Sequence, residues 1–213
     1  MYLSCLHLDI AHPAARQCLK DCQDMHRTLM RAFPDEYQGS SREACGMLYR
    51  VMRERTGVRL FVLSEHCPDW RAISDQGFVI RGVKDVSNLP ASFTRGRRFA
   101  FDALLCPTKK VSRQGRNGRR AFLSSADDRL QWLERKATQA GFLIEWVREE
   151  GQSKERGVHQ PDRGGTMYHA GVRYRGVLVV EDSKAFCKAF ARGIGPGKAY
   201  GFGMLMLFKA TSA

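Results

Sequence analysis

The chain is predicted to be α+β, built from two successive βαββαβ units, and three observations lead there. Its 213 residues suffice for two compact domains of about 100 residues each. Period-two apolar stretches alternate along it with segments of helical spacing. The halves on either side of Pro107 carry comparable sets of elements, as two tandem ferredoxin-like, RRM-like units would, one over 1–106 and one over 107–213.

Leu6-His7-Leu8-Asp9-Ile10 alternates as a strand, and Pro13 opens a helix in which Leu19, Cys22, Leu29 and Met30 share a stripe and which Pro34 ends. Gly46 to Arg53 and Arg59 to Ser64 flank Thr56-Gly57 as a hairpin. Asp69 to Ser74 is a short helix, and Arg97 to Leu105 alternates as the last strand of the first unit. In the second unit Ser125 with Asp127 and Asp128 starts a helix that Gly141 closes. Phe142 to Val147 is a strand, Gly151 to Gly165 a polar loop, Val172 to Val180 a strand, Asp182 to Arg192 a helix, and Phe202 to Phe208 a final strand.

Composition narrows the function. No apolar run approaches the roughly 20 residues needed to span a bilayer, and the N-terminus lacks a basic-then-apolar signal, so a cytoplasmic protein without membrane attachment is expected. The seven cysteines include no Cys-x-x-Cys pair, which argues against a disulfide framework or a zinc ribbon. The net charge is +13, and residues 95–213 supply 23 basic against 11 acidic side chains. That excess favours a polyanionic partner held by the C-terminal half. An electrostatic membrane-surface protein would need a basic amphipathic helix, but 13–33 and 125–140 both mix acids with bases.

Between Arg95 and Arg120 stand Arg95, Arg97, Arg98, Lys109, Lys110, Arg113, Arg116, Arg119 and Arg120, with Asp102 as the only acid. Such a run can neutralise several backbone phosphates without reading sequence. Lys154, Arg156 and Arg163 form a smaller cluster. Gly193, Gly195, Gly197, Gly201 and Gly203, with Lys198 among them, form a loop whose backbone could approach a phosphate or simply allow helix and strand to pack tightly. Ala199 after Gly197-Lys198 rules out a Walker loop, and the helix-then-strand order rules out a dinucleotide loop. His26 beside Arg27 is either a helix-surface histidine or a general acid or base next to a phosphate-directed cation. Cys18, Cys22 and His26 recur every four residues, but the outer two stand about 12 Å apart along a helix, too far for one tetrahedral metal. No metal or other cofactor is expected. His7 and His66 look structural, and nothing singles out His159 or His169.

These residues resemble the CRISPR-associated RNA-processing endoribonucleases of the CasE branch, which belong to the type I-E Cascade complex. The similarity is carried by Met1-Tyr2-Leu3-Ser4, Met25-His26-Arg27-Thr28-Leu29, Pro107 with Lys109, Trp132 to Lys136, Gly176-Val177-Leu178, and above all by Gly193 to Gly203. The resemblance implies two ferredoxin-like folds and an enzyme that binds the hairpin of a CRISPR repeat transcript. Such an enzyme cuts at the 3′ base of the hairpin without a metal and stays on the mature crRNA beside other Cascade subunits, with no small-molecule substrate. It also implies that His26 is catalytic and that Arg27 contacts phosphate. Two departures stand out: Gln23 occupies a position where some relatives carry tyrosine, and Asp102, Leu104 and Cys106 interrupt a strand that is arginine-rich in relatives. The second departure moves the expected RNA contact downstream to Arg113 through Arg120. The alternative is a noncatalytic RNA-hairpin-binding subunit in which His26 serves recognition only.

Overall fold

A computed structural model describes residues 1–34, 37, 45–113, 116–158 and 166–210, and the side chains of 112–119, 158, 166 and 167 are outside what it describes. The first unit runs β1 (Tyr2–Leu8), α1 (Pro13–Lys20), α2 (Cys22–Met30), β2 (Leu48–Glu54), β3 (Gly57–Ser64), a 3-10 turn (Trp70–Gln76) and β4 (Phe78–Asp85). Its sheet has the order β2-β3-β1-β4, antiparallel throughout, with the second helix of the unit shortened to the 3-10 turn. Leu6, Met25, Leu29, Leu60, Val62, Trp70 and Phe78 fill its core.

The single helix expected after Pro13 is two helices, and Asp21 is the reason. Its backbone is extended, and its carboxylate accepts hydrogen bonds from the N–H groups of Gln23 (2.8 Å) and Asp24 (3.4 Å), so it stops α1 and caps α2. The break re-aims the chain so that α2 presents Cys22, Met25 and Leu29 inward.

The second unit runs β5 (Arg98–Leu105), β6 (Thr108–Arg113), β7 (Arg116–Phe122), α3 (Ala126–Gln139), β8 (Phe142–Val158), β9 (Thr166–Val180), α4 (Ser183–Arg192), a 3-10 turn (Lys198–Tyr200) and β10 (Leu205–Lys209). Its sheet order, β10-β5-β9-β8, repeats that of the first, so both units have the ferredoxin-like arrangement.

Two expectations are corrected here, and the basic connection gains a structure. Arg97 to Leu105 does not close the first unit: β5 pairs with β9 and β10, and β4 closes the first sheet instead, so a boundary at 106 would cut β5 from its own partners. The stretch from Gly151 to Val158 is not a loop: Gly151, at φ 139°, takes up a register shift and β8 continues to pair with β9 through Val158. The basic connection after Pro107 is the hairpin β6–β7, separate from both large sheets. Leu48 and Leu63 of the first unit lie in the core of the second, so the two units share an apolar seam.

Candidate active site and nucleic-acid interface

The glycine loop closes onto the helix that carries His26. All five glycines have positive φ, between 76° and 89°. What they approach is the protein itself: a Cβ on Gly193 would meet Leu48 at 2.8 Å, on Gly195 Trp132 at 2.9 Å, on Gly201 Tyr49 at 3.0 Å, and on Gly203 the Ile194 carbonyl at 2.8 Å. The N–H groups of Gly193, Ile194, Tyr200 and Gly203 are tied to backbone carbonyls. Close packing therefore accounts for the glycines, and its product is the turn Lys198–Tyr200, which packs against α2 and β2. Tyr49, fully buried on β2, donates from its hydroxyl to the Cys22 carbonyl at 3.4 Å and fixes the start of α2.

On α2, His26 is half-buried and Arg27 exposed, the Arg27 guanidinium paired with Asp24 one turn earlier. Gln23 is half-buried in the first turn. Cys22 lies one turn before His26 on the same stripe. Burial, then the charges of Asp21 and Glu155, pushes the Cys22 thiol up to about 12. Cys18 meets the Thr28 hydroxyl at 3.3 Å. Beside this stripe is a cavity of about 240 Å³ lined by Cys22, Met25, Tyr49, Arg50, Glu155 and Tyr200 among others.

The arm formed by the outer halves of β8 and β9 reaches the same place. β8 packs on α2, and Gly157 lies so close that a Cβ there would stand 3.0 Å from the Cys22 sulfur. Glu155 lines the cavity; its carboxyl is raised by burial, with Arg53 and Arg50 opposing. Lys154 and Arg156 alternate to the other face of the arm and are exposed, Lys154 with its ammonium 4.4 Å from the centre of the Tyr168 ring. They belong to the outer surface, not to the cavity. Arg163 and His159 lie outside the described residues.

His169, which nothing in the sequence marked, is on β9 opposite Glu155, and its ring stacks on Tyr200 at 4.3 Å and 24°. Burial, followed by the nearby Cys22, raises the Tyr200 hydroxyl, keeping it protonated at neutral pH.

On the helical side of the second unit, a cleft of about 710 Å³ runs between α3, α4, the glycine loop and the base of the β6–β7 hairpin. Arg120, Arg135, Lys136, Lys188, Arg192 and Lys198 line it, and among the described residues no acid does. Lys109, Lys110 and Arg120 are exposed on the hairpin, while the side chains of Arg113, Arg116 and Arg119 lie outside the described residues. Lys198 belongs to the turn on α2, so the cleft leads to the helix bearing His26. Arg135, Lys136, Lys188 and Arg192 were not singled out as phosphate contacts, although Lys184, Lys188 and Arg192 recur every four residues on α4 without an acid between them. Other cations of the basic run are committed elsewhere: Arg95 pairs with Glu181 and Arg98 with Glu145. Asp102 is buried against Arg50 and Arg173, which explains a carboxylate in that strand.

The family model described as "CRISPR associated protein" matches residues 1–209. A CRISPR-associated endoribonuclease Cse3 of Thermus thermophilus is 30% identical over 218 residues, covering 96% of this chain and 98% of that protein. The structure of CRISPR endoribonuclease Cse3 bound to a 19-nucleotide RNA superposes with a TM-score of 0.85 at 26% identity, over 98% of this chain and all of that one. Thermus thermophilus Cse3 bound to an RNA representing a pre-cleavage complex superposes with a TM-score of 0.83 at 25% identity, over 97% and 98% of the two chains.

Proposed function

The chain belongs to the family of CRISPR-associated proteins, in its CasE branch, and from that membership we propose that it is the endoribonuclease that binds the hairpin of a CRISPR repeat transcript and cuts at the 3′ base of the stem. The ribose 2′-hydroxyl at the cut attacks the adjacent phosphorus in line, leaving a 2′,3′-cyclic phosphate and a 5′-hydroxyl, with no metal required because the substrate brings its own nucleophile. His26 moves one of the two protons, a contribution on the order of 10² to 10⁴-fold, and Arg27 and Lys198 offset charge on the phosphate oxygens. The product crRNA stays bound within a Cascade assembly.

The observation that carries this reading is the packing of the Lys198–Tyr200 turn on α2, since it joins a cleft lined by six cations to the one histidine of that helix. A double-stranded RNA stem offers phosphates and shape where its deep major groove hides the base edges, and an acid-free cleft suits that surface. The test is incubation of the purified protein with a repeat hairpin in EDTA. Cutting that a single 2′-deoxy substitution at the cut abolishes is the expected result. Tight binding with no cutting would replace the enzyme by a noncatalytic hairpin-binding subunit.

A further inference from the structure

We propose that His169, held by the ring of Tyr200, is the second proton-transfer group of the site and acts as the general acid on the leaving 5′-oxygen. The inference rests on the nuclease reading above. In-line attack by a 2′-hydroxyl needs two proton movements: as the O2′–P bond forms, the hydroxyl proton must leave, and as the P–O5′ bond breaks, the oxygen that takes its electron pair must gain one. One imidazole at His26 handles a single transfer. In this chain position 23 is glutamine, which does not titrate, so the other transfer falls to a group brought in from another element.

The fold brings one. The β8–β9 arm crosses to α2, and His169 on that arm stacks on Tyr200 at 4.3 Å, in the turn that packs on α2. Tyr200 and Cys22 line one cavity and interact electrostatically, and Cys22 precedes His26 by one helical turn. His169, through Tyr200, and His26 are therefore both tied to α2, from different units. The stack fixes the plane of the His169 ring, with Phe202 tilted behind it at 6.4 Å.

The surroundings favour the acid role. The titratable and charged groups near the stack include Glu155 opposite His169 on β8, with Arg50 and Arg53 of β2 acting on that carboxyl, Cys22 and His26 on α2, and Tyr200 with Lys198 on the turn. Directly opposed residues of an antiparallel pair share a face, so the Glu155 side chain leaves the arm on the same side as the imidazole, where a carboxylate stabilises an imidazolium. Cys22 and Tyr200 are uncharged at neutral pH. Lys198 opposes Glu155 in this balance but extends to the basic cleft. An imidazolium donates its proton to O5′, giving the 5′-hydroxyl, while His26 accepts the proton of the 2′-hydroxyl, and both are reset by exchange with water.

The experiment compares single-turnover cutting by wild type, His169→Gln and His26→Ala on a CRISPR repeat hairpin and on the same hairpin with sulfur replacing the bridging 5′-oxygen. Sulfur leaves without being protonated. His169→Gln should be slowed on the order of 10²-fold or more on the oxygen substrate, recover to near wild-type rate on the sulfur one, and lose the alkaline limb of the pH profile, with hairpin affinity and melting temperature unchanged. His26→Ala should not recover. If His169→Gln is as fast as wild type, or is equally slow on both substrates, the acid role is overturned and the nuclease reading stands. If wild type cuts neither, the nuclease reading falls and this inference with it. Tyr200→Ala, which removes the stack, should move the alkaline limb while Tyr200→Phe preserves it, and identical profiles for the two would also overturn the proposal.

Discussion

Arg50 of β2 and Asp102 of β5 join the two sheets through a buried ion pair, guanidinium Nη2 to carboxylate Oδ1 at 3.3 Å. Burial pushes the Arg50 guanidinium down to about 10, with Asp102 opposing that shift, so Arg50 stays charged at neutral pH. Arg173 binds the other side of the same carboxylate, and Arg173 and Arg175 both reach on to Glu150.

Removing one partner of such a pair strands the other. Asp102→Asn should therefore lower stability by about 3–5 kcal/mol, read as a fall in the urea midpoint with unchanged slope. The double variant Arg50→Met, Asp102→Leu should cost clearly less than the sum of its singles. An Asp102→Asn protein with wild-type stability would show that the seam does not depend on this ion pair.

His26→Ala should bind the hairpin nearly as wild type does and cut it slower by on the order of 10² to 10⁴-fold. Single-turnover rates and filter-binding constants on the same RNA separate the two effects. Equal losses in both would count against a chemical role.

The acid-free cleft predicts salt dependence. Replacing Arg135, Lys188 and Arg192 together with alanine should weaken hairpin binding and flatten the plot of log affinity against log salt by roughly 0.7 to 0.9 for each RNA phosphate that is no longer neutralised. The same change at Lys109, Lys110 and Arg120 tests the β6–β7 ribbon. An unaltered slope in either set means those side chains do not reach the backbone of the RNA.

The glycines can be ranked by what surrounds them. Gly203→Ala places a Cβ 2.8 Å from the Ile194 carbonyl at a φ of 89°, and should cost on the order of 1–3 kcal/mol. Gly82→Ala, with nothing within 4 Å and no positive φ, should be close to neutral. Thermal melting of the two variants checks the contrast.

Burial raises the Cys22 thiol from its ordinary value of 9.0 to about 12. Between those values the folded protein holds a proton that the unfolded chain has lost, so this contribution to stability is complete below about pH 9 and declines as pH rises from there. Urea midpoints at pH 8 and pH 10.5 should therefore fall less for Cys22→Ala than for wild type. At pH 8 iodoacetamide should modify exposed Cys67 well before buried Cys18 or Cys22.

Local pattern made much of the fold legible: the β2–β3 hairpin, α3 with its acidic first turn, α4 and both flanking strands of the second unit follow from periodicity and caps. What failed had non-local causes. In β4 only Phe78 is buried, and Val79, Ile80 and Val83 are exposed, so an edge strand carried no alternation to detect. β5 alternates well, but its neighbours in the sheet are set by β9 and β10, far along the chain. The glycine loop stood out for its five glycines around Lys198, and His26 through the resemblance to the CasE endoribonucleases. His169 did not, since its meaning comes from Tyr200 thirty-one positions later, and Arg135 and Lys188 acquire theirs only when α3 and α4 lie side by side.

The order of strands in the second sheet has a consequence for how the chain assembles. β5, a central strand, is synthesised first, and its neighbour β10 comes last, after the ribbon, both helices and both long strands. Closing that pairing requires the largest loop in the unit, which contributes little to nucleation and much to the final entropic cost. During translation β5 therefore waits with an open edge beside a finished first unit, and loss of the last strand would leave that edge exposed to pairing between molecules.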